Sequence, residues 1–354
     1  MSIIFFDGFD WVNGWGPGGR KYDQASGGNV TAGRFGGQAL QTSGSLSKTF
    51  TTSHSAMIVG FAMNVGDFFG NWIGSPVLIA PFFTFYDGAT PQCSLWINHD
   101  TQIIQLMTGR GTLITDVPII STGYVPPLTL WYYIECKIDF AAHYAEIRVN
   151  GTTIGTATGA LLQQSGNSSV NRFVFSPFSA YNGGVQWGSW LADDFYVLDP
   201  SDSMNNVDFL GEVRVQTKYP DAEGYQNDFL PSQGTNNALN VDNPITSYTE
   251  NGYYNYSGAV GAIDLYSIGN FTVSGTIFAV QESISFRKDD VGNRDVTCIM
   301  RSAVNSQEYV NPTPSACYST YTYAGMMWEN DPSTSSPWTL TNLNQAQFGV
   351  KITS

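Results

Sequence analysis

The sequence predicts an all-β chain built as two antiparallel domains. Three observations carry this: apolar and polar residues alternate with period two over short runs, Gly, Asn and Pro separate those runs, and helical periodicity over ten or more residues is absent.

The clearest run is WYYIECKIDF, Trp131 to Phe140. Tyr132, Ile134, Cys136, Ile138 and Phe140 are apolar, while Glu135, Lys137 and Asp139 sit between them. That is a half-buried strand with one dry and one wet face. Past Ala141, Ala142 and His143 the parity reverses, with Ala145, Ile147 and Val149 against Tyr144, Glu146, Arg148 and Asn150. Asn150-Gly151 then supplies two residues that tolerate positive φ, as a type I′ hairpin turn requires. Three successive antiparallel strands are expected here.

Shorter runs at Ser55–Val65, Pro76–Gly88, Cys93–Asn98 and Thr101–Gly109 precede this one, and NRFVFSPF and WLADDFYVLD follow it. Evenly spaced short strands read as a sandwich or barrel. The length of 354 residues allows two domains, each with its own core. The polar run DPSDSMNNVD, Asp199 to Asp208, marks the junction, which places the domains at 1–200 and 209–354 with a linker at 201–208.

The second domain opens on FLGEVRVQTKYPDAEG, where Val213, Val215, Thr217 and Tyr219 alternate with Glu212, Arg214, Gln216 and Lys218. From Pro220 to Ala262 the chain is mostly Asn, Gly, Ser, Asp and Tyr, an irregular stretch suited to wrapping over a surface. Strand patterns return at GTIFAVQESISFRKDD and RDVTCIMRS, joined by a turn around Gly292-Asn293.

Asp, Glu, Lys and Arg make up 12% of the chain, against about a quarter in ordinary domains. The net charge is −14, and the nearest thing to a basic cluster, Phe286–Asp290, is cancelled by its own aspartates. Nucleic acid is thereby excluded as a partner, because phosphate contacts need clustered Lys and Arg. No apolar run approaches the roughly 18 residues of a membrane span, so no membrane partner is expected. The surface must be polar through Ser, Thr, Asn and Gly, as in β-sandwiches that work outside cells. Yet MSIIFFDGFD has no basic n-region, signal-length apolar run or cleavage site. Two readings fit, a secreted protein whose signal has been removed and a virion protein assembled in the host cytoplasm and released by lysis; Met1 leading directly into a strand pattern favours the second. Few lysines are present to blunt sheet edges, so a homo-oligomer is expected, a trimer if it forms an appendage.

The order FFDGFD, GRFGGQALQ (Gly33 to Gln41), W-Y-x-I-x-x-x-I-D, A-E-I-R-V-N-G and L-A-D-D-F-Y-V-L is similar to the concanavalin A-like jelly roll, and most resembles laminin G-like modules within it. The resemblance covers about the first 200 residues and implies that the closing strand pairs beside the opening one. The second half resembles a module of bacteriophage virion proteins through LGEVRVQT-x-x-PDA-x-G, an RKDD-x-G-x-R hairpin, E-x-DP-x-T-x-x-x-W-T from Glu329 to Thr339, and a terminal FGVK. It implies a structural component of a tailed-phage virion (appendage, decoration or tail protein) whose partners are other virion proteins.

A glycosidase on such a sandwich needs two carboxylates on one face, as in E-x-D-x-x-E, and the strands lack that run. Glu135 and Asp139 share a face and read as ordinary sheet. G-x-S-x-G, H-E-x-x-H and phosphate-loop patterns are missing, and His54, His99 and His143 stand isolated. No catalytic residue is expected, and the chain is read as not an enzyme.

Relatives of the jelly roll hold calcium with Asp and Asn oxygens in rim loops. Asp7, Asp10, Asp193 and Asp194 are the candidates here if the first and last strands pair, although neighbours such as Asp193 and Asp194 should point to opposite faces of a strand. Trp11 and Trp15, and Trp187 and Trp190, stand in Gly-rich stretches where an exposed ring would stack on a pyranose; buried, the same rings would fill a core or an interface. The alternative function is accordingly a carbohydrate-binding adhesin that reads host surface glycans through the jelly roll. Cys93, Cys136, Cys298 and Cys317 show no zinc-ligand spacing. Cys136 is expected as a buried thiol, while Cys298 and Cys317 are near enough in sequence for a disulfide if geometry permits.

Overall fold

The computed structural model describes residues 3–10, 21–25, 28–42, 45–66, 78–79, 81–98, 101–110, 117–176, 180–181, 190–201, 208–244, 252–272 and 275–354. They form two compact units, the first comprising Met1–Asp10 and Tyr22–Gln216, the second built on Thr217–Ser354. The division therefore falls after Gln216, and residues 209–216 belong to the first unit instead of opening the second.

The first unit begins with β1 (Ile3–Asp7), β2 (Gln24–Ala25), β3 (Gly28–Ala32), β4 (Gln38–Thr42), β5 (Leu46–His54) and β6 (Ala56–Val65). It continues through β7 (Leu78–Ile79), β8 (Phe83–Asp87), β9 (Thr90–Ile97), β10 (Ile104–Thr108) and β11 (Ile120–Ser121). The closing set is β12 (Trp131–Asp139), β13 (Tyr144–Val149), β14 (Thr152–Thr158), β15 (Val170–Phe175), β16 (Ala180–Tyr181) and β17 (Trp190–Leu198). One sheet has the order β14-β13-β12-β6-β17-β4-β3, with β1 also on β17; the other runs β11-β10-β9-β8-β15-β5-β2. This is the jelly-roll sandwich, with its opening and closing strands paired through Phe6 opposite Tyr196.

The core between the sheets is aromatic. Phe83, Phe173, Phe175 and Phe195 meet edge to face, with centroids as close as 4.9 Å, an arrangement that adds quadrupole attraction to the burial of large rings. Asn150 and Gly151 have φ of 49° and 75°, so the predicted hairpin turn forms. The wet face expected of β12 is only partly wet: Glu135 is 1% exposed and Tyr133 is buried as well.

The second unit is also antiparallel. It contains β18 (Pro220–Asn227), β19 (Leu230–Pro231), β20 (Asn255–Tyr256), β21 (Ile263–Ile268), β22 (Val280–Phe286) and β23 (Asp295–Arg301). After these come β24 (Glu308–Val310), β25 (Ser315–Ala316), β26 (Thr322–Trp328), β27 (Asn330–Asp331), β28 (Ser336–Pro337), α1 (Leu340–Gln345) and β29 (Gln347–Ile352). Its main sheet has the order β18-β21-β29-β23-β24, with β25 also on β23. Met300, Trp328, Trp338, Leu343 and Phe348 form one core cluster.

Several expectations change here. The alternating stretch Val213–Tyr219 forms no strand, and the stretch expected to be irregular contains β18, β19 and β20. The RKDD turn is not a hairpin: β22 pairs with β26, and β23 pairs with β29, β24 and β25. Alternation shows which face is buried but leaves the pairing partner open. The E-x-DP motif is a structural turn, in which Asp331 Oδ1 accepts from the Ser333 amide (2.9 Å) and Oδ2 from Asn342 (2.8 Å). All four cysteines are buried and free. The amide of Cys317 is bonded to the Arg294 carbonyl, four residues from Cys298, or about 13 Å of strand, too far for a disulfide.

Candidate functional site

The polar groups of the first unit collect on the outer face of its eight-stranded sheet. On β12, Tyr133, Glu135 and Lys137 point away from the core. Their cross-strand partners on β6 are Ala62, Gly60 and Ile58, and beyond these β17 contributes Asp193 opposite Ala62 and Tyr196 opposite Gly60. On the other flank, Arg148 and Glu146 of β13 lie opposite Glu135 and Lys137, and Thr153, Thr156 and Thr158 of β14 lie opposite Arg148, Glu146 and Tyr144.

The inner half of this face is covered by residues 208–216. The Gly211 amide donates to Glu135 Oε1 (2.8 Å), the Leu210 amide to the Tyr196 hydroxyl (3.2 Å) and the Val215 amide to Asp194 Oδ1 (2.8 Å). Glu212 pairs with Arg34, whose own amide donates to Asp193 Oδ2 at 2.8 Å. Tyr196 donates to Glu135 Oε1 at 2.6 Å, and Tyr133 to the Asp194 carbonyl at 2.8 Å. This cover is why both faces of β12 are dry at Tyr133 and Glu135.

A β-bulge brings the two aspartates to one side. The β6–β17 register shifts between Asp193 and Tyr196, and Asp194 adopts φ of 52°. A bulge of this kind interrupts the strict alternation of faces. Asp193 and Asp194 are therefore neighbours in space, contrary to the opposite-face expectation, and the Asp194 amide donates to Asp193 Oδ1 at 2.8 Å. Burial, then the charge of Asp194, pushes Asp193 up to about 8. Burial likewise pushes Asp194 up to about 6, against the Val215 amide and Arg34. Glu135 is raised by burial, only partly offset by Tyr196 and Gly211.

The outer half lies outside this cover, with Glu146 buried and Tyr144 and Arg148 half-buried. Glu146 accepts from the Tyr144 hydroxyl (2.7 Å), Arg148 Nε (2.7 Å) and the Thr153 hydroxyl (2.6 Å). Burial opposes its charge, yet these three bonds outweigh that cost and lower its pKa, while burial and Glu146 push Tyr144 up to about 12. The Arg148 guanidinium lies 3.8 Å from the centroid of the half-buried Phe209 ring. Thr153, Thr156 and Thr158 are exposed beside them, and Lys137 pairs with Asp208 at 3.5 Å on the rim.

The candidates named from sequence have different fates. Asp7 accepts from the Phe9 amide (2.8 Å) and the Tyr22 hydroxyl (2.5 Å), and Asp10 accepts from the Gln38 amide (2.5 Å). Asp10 raises the pKa of both Asp193 and Asp194, so these three share one electrostatic neighbourhood. Among the described residues no three His, Cys, Asp or Glu side chains converge as metal ligands; the cation beside Asp194 is Arg34, with 3.8 Å between Nη1 and Oδ2.

Trp190 is 0% exposed, packed on Phe82 and Phe175, with Nε1 donating to the Ser176 carbonyl at 3.2 Å. As a stacking platform for sugar it is thus corrected to a core residue. Trp11, Trp15, Trp187 and His99 lie outside the described residues. His54 is bonded to Asp199 at 2.7 Å, and His143 is exposed in the β12–β13 turn. Asp139 accepts from the Ala142 amide at 2.8 Å in that same turn.

Sequence reasoning missed Arg34, Gly60, Tyr133, Tyr196 and the covering segment. The available signal was the alternation in LGEVRVQ, which marks a segment lying on a surface as well as it marks a strand.

No family model and no curated protein matches the chain. Among solved structures it is similar to a sialidase (12% identity, TM-score 0.33), covering 49% of this chain and 16% of that one. It is also similar to domain 4 of an extracellular arabinanase from Geobacillus stearothermophilus in complex with arabinotriose (12%, TM-score 0.34), covering 50% and 77%. A third is an alginate lyase from Chlorella virus (11%, TM-score 0.38), covering 56% and 99%. The chain thus spans about a sixth of the sialidase's length. These likenesses are of fold. The expectation that the chain is not an enzyme is withdrawn, because a sialidase and an alginate lyase stand among the similar structures; the likeness assigns no activity to this chain.

Proposed function

We propose that the jelly-roll unit binds carbohydrate on the outer face of its larger sheet. The observation that carries this reading is the shelf of half-buried Tyr144 and Arg148 and exposed Thr153, held by the buried Glu146 that all three bond on β13 and β14, with further exposed threonines beside it. A sugar hydroxyl is both donor and acceptor, and the shelf offers both kinds of group side by side. Their mutual bonds hold them in place before a ligand arrives, which reduces the ordering cost of binding.

The test is calorimetry of the full chain against a panel of oligosaccharides, with Arg148→Ala and Glu146→Gln alongside. Either variant should weaken binding by about tenfold, the loss of one charge-assisted hydrogen bond. Unchanged affinity in both would sink the assignment.

A second reading, membership of a tailed-phage particle, is supported by the sequence resemblance of residues 209–354 and by one surface of the second unit. Leu230 lies opposite Tyr256 across the β19–β20 pair, the Tyr254 and Tyr256 rings are 6.1 Å apart, and all three side chains are exposed. Such an apolar ribbon is suited to being covered by a neighbouring virion protein or another copy of the chain. Sedimentation of the wild type and of Tyr254→Ser/Tyr256→Ser tests this; a monomer in both cases argues against it.

A further inference from the structure

Residues 208–216 hold the inner half of the face in the manner of a bound ligand. None of them is in a strand, and they meet the sheet through three backbone amides and the side chains of Phe209 and Glu212. Every one of those amides is matched to an acceptor supplied by the sheet: the Tyr196 hydroxyl, the Glu135 carboxylate and the Asp194 carboxylate.

The match is incomplete. Glu135 Oε2 is buried with no hydrogen-bond partner, and Asp194 Oδ2 and Arg34 Nη1 make no hydrogen bond but only a long ion pair with each other at 3.8 Å. Unmatched atoms of charged groups are costly in a buried site, and a cover selected for packing alone would be expected to satisfy or exclude them.

We infer that residues 208–216 act as an internal ligand in the inner half of a groove running from Asp194 to Thr158, and that a neutral, hydroxyl-rich linear ligand bound along the whole face displaces them. This rests on the carbohydrate reading above and adds the extent and control of the site. From β17 to β14 the face crosses four strand spacings, about 19 Å, which suits a chain of sugars better than a single ring. Asp193, Asp194 and Glu135 disfavour an acidic ligand, while hydroxyl groups can replace the three amides as donors and also accept from Arg34. Because the covering segment competes with the ligand, apparent affinity is reduced by the fraction of molecules in which the groove is covered.

The test uses the full chain, neutral linear oligosaccharides, and the double variant Gly211→Ala/Glu212→Gln. Gly211 has φ of 75°, and no atom lies within 4 Å of the place a Cβ would take, so alanine strains the segment without touching the shelf. Glu212→Gln removes the charge that pairs with Arg34; Glu212→Gln alone serves as the milder variant should the double one lose its fold.

The variants should bind about five to ten times more tightly than wild type, by release of that competition. In wild type, ligand should also accelerate hydrogen exchange at the amides of Leu210, Gly211 and Val215. If wild type binds and Arg148→Ala weakens it, but the loosened variants bind no tighter and the amides stay protected, the displacement inference fails and the carbohydrate reading stands. If no oligosaccharide binds to wild type or to either loosened variant, both fail.

Discussion

Tyr196 reaches across Gly60 to donate a 2.6 Å hydrogen bond to Glu135 two strands away. Gly60 is the cross-strand partner of both residues, on β6 between β12 and β17. A Cβ at Gly60 would lie 2.2 Å from the Tyr196 ring, so the absence of a side chain there is what lets the ring lie flat over the middle strand. A glycine that weakens a strand by its own propensity is here the condition for close approach.

The first prediction follows from that geometry. Gly60→Ala should displace Tyr196 and cost about 1–3 kcal/mol, as overpacking does. Tyr196→Phe should cost about 1–2 kcal/mol by leaving Glu135 with the Gly211 amide alone. Urea denaturation measures both; equal stability of Gly60→Ala and wild type would refute the packing account.

The Asp193–Asp194 pair predicts a pH dependence. Both carboxyls have folded pKa values above the ordinary 3.8, near 8 and 6, with Asp10, Arg34 and Arg214 among the charges acting on them. Over this interval these two groups hold more protons in the native state than in the unfolded chain, so their contribution to stability is full below about pH 4 and is lost as pH rises through 6 and 8. Asp193→Asn should flatten this slope in denaturation curves taken between pH 4 and 8.

Glu282 provides an independent case in the second unit. It is buried, neither carboxylate oxygen has a well-formed hydrogen bond, and burial raises its pKa well above the carboxylate range against the Gly349 amide. The sign is the same: its unfolded-state proton is lost near pH 4.5 while the folded group retains it, so stability falls with rising pH. Glu282→Gln should raise the melting temperature at pH 8 and change it little at pH 4. The opposite ordering would show that an ionised Glu282 is stabilising.

Thiol titration checks the cysteines. Burial raises the pKa of Cys93, Cys136, Cys298 and Cys317. Without reductant, native protein should react slowly with a thiol reagent, and protein unfolded in denaturant should yield all four thiols. Recovery of two would restore the Cys298–Cys317 disulfide.

Much of the sandwich was legible in the sequence because strand alternation, the Asn150-Gly151 turn and the core face of β12 are local properties. Each depends on residues one to four positions apart, and each recurs in the structure. Trp190 was legible only as a large ring; its burial depends on Phe82 and Phe175, which come from other parts of the chain.

The sequence by itself determined the class of fold, the acidic and charge-poor character of the surface, and the alternation that marks each strand's buried side. Only the tertiary structure decided which strands pair, that a bulge turns Asp193 and Asp194 together, and that residues 208–216 lie over Glu135 and Tyr196. The physical reason is range: side-chain period is set by neighbours along the chain, whereas burial of a polar group depends on what a distant segment places upon it.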